Sequence, residues 1–227
     1  MEGKEFKANV NGIEIAYARW GIEGNKRIML VHGVMGYKEM WTGLALKLAS
    51  ENFDVIALDL RGYGDSTKPE GEFVPEMFSS DIYELSKWLK WEDGFTILGH
   101  SLGGYIALDY ALKYPETLAC MIVANTSAYL ARTFSSKLVW KMSTWIYKRS
   151  SEKTMQKMIP NMFIRPQPKE FINEFIEKSL KTPKSVGVSA IRICLAKNLE
   201  PELIKIKVPT LIILSQQDQK NLRNAGF

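Results

Sequence analysis

The six residues that decide the fold of this chain are Gly99-His100-Ser101-Leu102-Gly103-Gly104. A short apolar stretch typical of a buried strand (95–100) leads into the serine, and a helical pattern (102–114) follows it. A turn that joins a strand to a helix this abruptly has room only for small residues around its central position. We therefore expect the serine side chain to project from the turn at the helix N-terminus, where the helix dipole favours negative charge.

The alternation of strand and helix patterns extends to both sides of this turn. The Asn11-Gly12 pair can supply the two positive φ angles of a tight turn and predicts a hairpin over residues 6–19. Further buried strands are predicted at 27–32, 54–59, 118–124 and 209–215, and further helices at 38–51 and 75–90. Apolar strands that alternate with helices are typical of an α/β fold, in which a mostly parallel sheet carries helices on both faces.

The alternation stops between residues 126 and 206, where the sequence has four helical patterns and no convincing strand pattern. The helical patterns cover residues 130–148, 152–158, 168–180 and 185–198. We predict one α/β domain with a helical insertion. In this division, residues 1–125 form the first part of the core, residues 126–206 form the helical insertion, and residues 207–227 form the second part of the core.

The amino-acid composition is typical of a globular domain without a membrane-spanning helix. A length of 227 residues with 46% hydrophobic and 24% charged residues suits one globular domain that carries an insertion. No apolar stretch approaches the roughly 20 residues of a membrane helix, so we expect no stable membrane insertion. The two cysteines, and a polar N-terminus with no apolar segment behind it, favour a cytoplasmic location.

The formal charge of +5 is unevenly distributed along the chain. Residues 127–200 contain 14 Lys and Arg against 5 Glu, whereas the rest of the chain is net negative. Such an excess of positive charge can mark an anionic partner or a membrane surface, and it also occurs on ordinary solvated helix faces. No stretch resembles a nucleic-acid-binding module, so no nucleic-acid partner is expected. The sequence carries no signal for an oligomeric state.

A second candidate motif, after the apolar residues 28–31, reads His32-Gly33-Val34-Met35-Gly36. Acyl transfer at a serine requires two backbone N–H groups that point at the oxyanion. A glycine-containing loop after a neighbouring strand, together with the residue after the nucleophile, can supply them, and we assign these donors to Val34 and Leu102. The alternative is a plain loop between a strand and a helix. The motif lacks the Gly-x-Gly-x-x-Gly spacing of a dinucleotide site, and no metal-ligand pattern occurs, so neither a cofactor nor a metal is expected.

Five sequence fragments, in this order, carry a resemblance to a known family: Leu30-Val31-His32-Gly33, Asp59-Leu60-Arg61-Gly62-Tyr63-Gly64-Asp65-Ser66, Gly99-His100-Ser101-Leu102-Gly103-Gly104, Tyr114-Pro115-Glu116 and Val208-Pro209-Thr210-Leu211. They resemble the α/β-hydrolase fold-1 superfamily, whose catalytic triad runs Ser, then Asp or Glu, then His. The resemblance implies that Ser101 is the nucleophile and Asp218 the acid. It also implies that Asp59 and Arg61 shape a loop beside the site.

The resemblance further assigns structural roles in the turn around Ser101 and in the neighbouring loop to His32, Gly33, Gly99, His100 and Gly103. It also implies that residues 126–206 form a helical lid and that residues 207–227 form an incomplete second part of the core. The family's catalytic histidine follows one more strand after the acid, but this sequence has only two histidines and nine residues after Asp218. A serine hydroxyl is a weak nucleophile without a base. We therefore expect a truncated copy whose last strand and helix are missing and whose activity is impaired.

The function predicted on these grounds is hydrolysis of carboxylic-ester or related acyl bonds in a small-molecule substrate. One alternative is an aminopeptidase of the proline-iminopeptidase type, although the predicted lid is basic and has no acidic cluster to bind a substrate amine. The other alternative is a non-catalytic protein that binds a small apolar ligand, which the missing histidine permits.

Overall fold

The computed structural model describes residues 3–24, 26–129, 134–163 and 165–216. The strands are β1 (Lys4–Val10), β2 (Ile13–Trp20), β3 (Lys26–Val31), β4 (Phe53–Leu58), β5 (Phe95–His100), β6 (Leu118–Ala124) and β7 (Thr210–Ile213). The helices are α1 (Thr42–Ser50), α2 (Pro75–Trp88), α3 (Leu102–Lys113), α4 (Phe134–Arg149), α5 (Glu152–Met158), α6 (Lys169–Leu180) and α7 (Lys184–Ala196). Short 3₁₀ helices occur at Lys38–Trp41, Pro115–Thr117, Ile159–Met162 and Glu200–Lys205.

The strands form one sheet in the order β1-β2-β4-β3-β5-β6-β7. The pairs β1/β2 and β2/β4 are antiparallel, and the remaining four pairs are parallel. The hairpin that joins β1 and β2 turns at Asn11 and Gly12, whose φ angles are 49° and 74°. Both are positive, as the Asn-Gly pair predicts.

Helices cover both faces of the sheet. Successive residues of a strand point to opposite faces, and the fully buried neighbours Met29 and Leu30 on β3 illustrate this. Met29 belongs to an apolar cluster that includes Ile82 of α2 and Ile106 of α3. Leu30 belongs to a second cluster that includes Ala45 of α1. The predicted α/β fold with a mostly parallel sheet is therefore confirmed.

The described residues between 126 and 206 contain α4, α5, α6 and α7 and no strand. Helix α7 contacts both α3 and α4. As a result, α3 lies between the sheet and this helical segment, and all ten of its residues 102–111 are buried. Residues 130–133 of the first predicted helix lie outside the described residues. We refer to residues 126–206 below as the helical segment.

One predicted helix differs from the structure. The sequence pattern over residues 38–51 predicts a single helix, whereas the structure has a 3₁₀ turn at Lys38–Trp41 followed by α1. The Lys38 amide donates to the Asp59 carboxylate at 2.7 Å, and its ammonium binds the same carboxylate at 3.2 Å. These two bonds fix the first turn in a position that apolar periodicity cannot predict.

Strand β7 lies at one edge of the sheet and pairs with β6. Its apolar residues Leu211, Ile212 and Ile213 are 54%, 64% and 46% exposed. Within the described ranges, no strand or helix covers them. None of the helices described here is long and apolar enough to span a membrane.

Candidate active site

Ser101 occupies the turn between β5 and α3, with φ 53° and ψ −117°. A non-glycine residue in such a conformation costs about 1–3 kcal/mol, and it persists only when its surroundings hold it. The end of β6 provides that support. The Ser101 amide donates to the Ala124 carbonyl at 3.0 Å, and the Thr126 hydroxyl donates to the Ser101 carbonyl at 2.6 Å. The serine backbone is therefore bound from the neighbouring strand.

The two glycines of the motif are needed because backbone atoms approach them closely. A Cβ added at Gly99 would lie 2.2 Å from the Gly103 carbonyl oxygen. A Cβ added at Gly103 would lie 2.2 Å from the Val31 carbonyl oxygen and 2.7 Å from that of His32. Real Cβ atoms do not come this close to a neighbour. The spacing of glycines around Ser101 thus lets α3 start directly against the end of β3.

The loop after β3 lies beside Ser101. A Cβ added at Gly33 would be 3.1 Å from the Ser101 Cβ, and a Gly36 amide bond to the Gly33 carbonyl at 3.0 Å closes the loop. Neither the Val34 nor the Leu102 amide takes part in a backbone hydrogen bond in the described loops and turns. Two amides, one directly after Ser101 and one directly after Gly33, are thus left with donor capacity.

His32 is a structural part of this loop. Its Nε2 accepts from the Leu60 amide at 3.1 Å, so the proton is on Nδ1, which donates to the Gly33 carbonyl at 2.8 Å. Burial lowers the pKa of His32, and its ring meets the Tyr63 ring edge-on at 5.0 Å. Because both ring nitrogens are occupied, His32 is not available as a base for Ser101.

His100 is the last residue of β5 and is half-buried. Its Nδ1 lies 3.3 Å from the position of a Cβ on Gly33, so the ring packs against the loop after β3. His32 thus lies in the loop after β3, and His100 packs against the same loop.

Asp218, the acid that the resemblance implies, lies outside the described residues. The chain leading toward it is described as far as residue 216, and Asn125 binds it twice. The Asn125 amide donates to the Ile213 carbonyl at 2.9 Å, and its side-chain oxygen accepts from the Ser215 amide at 2.8 Å. Asn125 has a φ of 45°, a left-handed conformation that asparagine tolerates well. Neither of these two hydrogen bonds can be predicted from the sequence pattern around Asn125.

A buried lysine anchors the other end of the loop after β3. The Lys38 ammonium, which is fully buried, lies 2.6 Å from Asp65, 3.0 Å from Glu39, 3.2 Å from Asp59 and 3.3 Å from Glu5. Burial opposes its charge, but the surrounding carboxylates outweigh this effect and raise the pKa of Lys38. The carboxylates of Glu5, Glu39 and Asp65 lie within 4.8 Å of one another, and this ammonium binds all three.

The stretch around Arg61 is also structural. The Arg61 guanidinium binds Asp81 of α2 through two hydrogen bonds of 2.5 and 2.6 Å. Asp81 in turn accepts from the Asn11 side chain of the β1–β2 hairpin at 2.9 Å. Together with the ion pair of Asp59 and Lys38, these bonds support the structural role that the resemblance implies for Asp59 and Arg61.

The helical segment is attached to the loop after β3 through α6. The Ser179 hydroxyl donates to the Met35 carbonyl at 2.8 Å in a buried position. The Phe175 ring packs on Tyr37 with centroids 5.9 Å apart. Met35 itself has a φ of 63° and directly follows Val34. The helical segment therefore contacts Met35, the residue directly after the proposed oxyanion donor Val34. The sequence alone does not indicate this contact.

An apolar cavity of about 180 Å³ lies between this loop and the helical segment. Met35 lines it from the core, Ile146 and Tyr147 line it from α4, and Met155 lines it from α5. Ile159, which is 1% exposed, also lines it. The cavity can hold a short apolar group near the loop that carries Val34.

Comparison with known proteins agrees with this architecture. The human serine hydrolase BPHL is 37% identical over 128 residues, which cover 55% of this chain and 43% of that protein. Lipase 1 of Psychrobacter immobilis is 24% identical over 218 residues, which cover 92% of this chain and 67% of the lipase. The chain thus spans less than half the length of the human serine hydrolase that it matches.

A solved structure shares the fold. The esterase EaEST from Exiguobacterium antarcticum superposes with a TM-score of 0.84 at 21% identity, covering 98% of this chain and 87% of the esterase. The family model for the alpha/beta hydrolase fold matches residues 26–223, from the start of β3 to the region beyond β7. The predicted family resemblance is confirmed, and this chain belongs to the alpha/beta hydrolase fold family.

Proposed function

We propose that the chain is a serine hydrolase that cleaves carboxylic-ester or related acyl bonds in small-molecule substrates. One observation carries the proposal: Ser101 is held at φ 53° and ψ −117° between β5 and α3, with the loop after β3 against it. Strain of this kind concentrates at functional sites. The relatives with the names serine hydrolase, lipase and esterase support the same class of reaction.

In the proposed reaction, the Ser101 hydroxyl oxygen attacks the substrate carbonyl while a base takes its proton. The carbonyl oxygen becomes an oxyanion, which the Val34 and Leu102 amides bind. Donors in such a site stand about 2.7–3.1 Å from the oxyanion. The intermediate then collapses to an acyl-serine, the alcohol leaves with the proton from the base, and water releases the acid by the same steps.

The base in this scheme is a histidine oriented by Asp218. Of the two histidines in the sequence, His32 has both ring nitrogens in hydrogen bonds, and the resemblance gives His100 a structural role in the turn. We therefore propose that the 227-residue chain by itself hydrolyses esters poorly, and that a histidine supplied by further chain restores the reaction. The helical segment acts as the lid, and the apolar cavity beside Met35 takes the acyl group.

A non-catalytic binding function is the second candidate. The observation that favours it is the same occupied His32, together with an apolar cavity that can hold a ligand without turning it over. An aminopeptidase is disfavoured by charge, because the 14 basic residues against 5 Glu in residues 127–200 would repel a substrate amine. A cytoplasmic location stays a prediction from the composition.

The test compares the 227-residue chain with a version extended by a strand–loop–histidine–helix segment from a homologue. We expect the extended chain to hydrolyse p-nitrophenyl acetate several powers of ten faster than the short chain, and Ser101→Ala to remove that gain. If the extended chain binds a short-chain alcohol or acid but never turns over an ester, the binding function replaces the hydrolase. If the short chain works at ordinary enzyme rates, another residue is the base.

A further inference from the structure

Helix α4 turns an apolar face to solvent. Phe134, Leu138, Met142 and Trp145 recur at intervals of four, four and three residues, so they share one side of the helix. Their side chains are 84%, 53%, 58% and 57% exposed. On the next row, Ile146 is 43% exposed. Exposed apolar residues scattered singly are ordinary, but a continuous apolar strip of this kind marks an interaction surface.

The opposite side of α4 already has partners in the fold. Trp140 and Tyr147 are half-buried and lie on that side. A Cβ added at Gly187 of α7 would lie 2.5 Å from the Tyr147 hydroxyl, and Tyr147 also lines the apolar cavity. Because the inner side attaches α4 to the rest of the helical segment, the apolar outer side is available without unfolding the helix.

Positive charge borders this apolar strip. Helix α4 carries Lys137, Lys141, Lys148 and Arg149 and has no acidic residue. The described ion pairs include none of the four, and Arg149 lies over the Trp145 ring at 4.4 Å. The three lysines fall on one flank of the strip at helical spacing. The three lysines therefore form a positively charged flank along the apolar strip, with no acidic residue on α4 itself.

The partner that fits an apolar strip with a cationic flank is an anionic lipid surface. We propose that α4 docks flat on such a surface, with Phe134, Met142 and Trp145 at the boundary between headgroups and acyl chains. The lysines on the flank then meet the lipid phosphates. A second copy of this chain fits less well, because a symmetric contact would bring the cations of two α4 helices together. The docking is peripheral and requires no spanning helix.

The test measures co-sedimentation of the 227-residue chain with vesicles of phosphatidylcholine alone and with about a third phosphatidylserine. We expect binding to the anionic vesicles that weakens with added salt. Neutralising Lys141→Gln and Lys148→Gln together should weaken binding about thirtyfold, since each lysine near an anionic surface contributes about fivefold. The matched control is Lys153→Gln with Lys157→Gln, two exposed lysines on α5.

The apolar strip is tested separately with Trp145→Ser. Its control is Trp88→Ser on α2, a tryptophan that is 55% exposed against 57% for Trp145. We expect the Trp145 variant to lose binding by about tenfold or more and the Trp88 variant to bind as the parent chain does, with circular dichroism confirming that both are folded. Equal loss in both, equal binding to neutral vesicles, or no binding at all overturns the proposal. A dimer that Trp145→Ser dissociates, in the absence of lipid binding, assigns the strip to a second copy instead.

Discussion

Replacing Gly103 by alanine is the sharpest perturbation of the turn that holds Ser101. Gly103 is the second residue of α3, so its backbone is helical and an alanine suits it conformationally. The added Cβ, however, would lie 2.2 Å from the Val31 carbonyl oxygen, 2.7 Å from the Val31 carbonyl carbon and 2.7 Å from the His32 carbonyl oxygen. All three are backbone atoms at the end of β3. The clash can be relieved only if α3 or β3 moves.

The matched control is Gly43→Ala. Gly43 is the second residue of α1, and a Cβ added there has no atom within 4 Å. Both variants gain the same helix propensity of up to about 1 kcal/mol, so the difference between them isolates the steric cost. Forcing an extra carbon into a closely packed site costs about 1–3 kcal/mol. Because the contacts at Gly103 are to backbone atoms of a central strand, we expect a difference of about 3 kcal/mol.

The assay is urea unfolding followed by tryptophan fluorescence, with thermal unfolding as a second measurement. A difference of about 3 kcal/mol corresponds to roughly 6–12 °C in Tm for a chain of this size. We expect Gly43→Ala to be as stable as the parent chain or slightly more stable. If Gly103→Ala matches Gly43→Ala within about 0.5 kcal/mol, α3 does not start against β3 as described.

Three further predictions concern the supports of the site. Asn125→Ala should lower the free energy of unfolding by about 1–2 kcal/mol, because it removes the hydrogen bond from the Ser215 amide. Asn125→Asp should keep most of that stability, since an acceptor oxygen remains, and urea unfolding of both variants checks this. Lys38→Met should cost about 3 kcal/mol because it leaves the fully buried Asp59 carboxylate without its cation; a cost under 1 kcal/mol in the same assay would contradict it. Because the pKa of His32 is lowered in the folded chain, the unfolded chain takes up this proton at a higher pH than the folded chain does. The contribution of His32 to the free energy of unfolding is therefore present above the unfolded pKa of about 6.5 and is lost as the pH falls below it. The parent chain should be less stable at pH 5 than at pH 8, and this difference should be smaller in His32→Gln.

Local patterns predicted the features that depend on a few adjacent residues. The Asn-Gly hairpin, the alternation of strands and helices and the glycines at the Ser101 turn all follow from backbone preferences and hydrophobic periodicity. The approach of Gly103 to Val31 is a contact between distant parts of the chain, yet the motif indicates it because only glycine fits there.

Contacts between side chains far apart in sequence could not be predicted in the same way. The Ser179 hydroxyl binds the Met35 carbonyl across 144 residues, and nothing in either neighbourhood of the sequence indicates it. Nothing in the sequence around Asn125 indicates that its side-chain oxygen accepts a hydrogen bond from the Ser215 amide after β7. The 3₁₀ turn at Lys38–Trp41 replaced a predicted helix start because Asp59 binds the lysine twice. Asp218, which the resemblance implied, stays a prediction.

The most direct test of the central claim is to find which residue reacts with a fluorophosphonate. The serine oxygen displaces fluoride from phosphorus and leaves a stable adduct that mass spectrometry can place in the sequence. In the chain extended by a histidine-bearing segment, we predict a single adduct on Ser101, and none in its Ser101→Ala variant. The 227-residue chain alone should react far more slowly, because His32 has both ring nitrogens in hydrogen bonds and is not available as a base. An adduct on another residue, or an unreactive Ser101 in the extended chain, would contradict the assignment of Ser101 as the nucleophile.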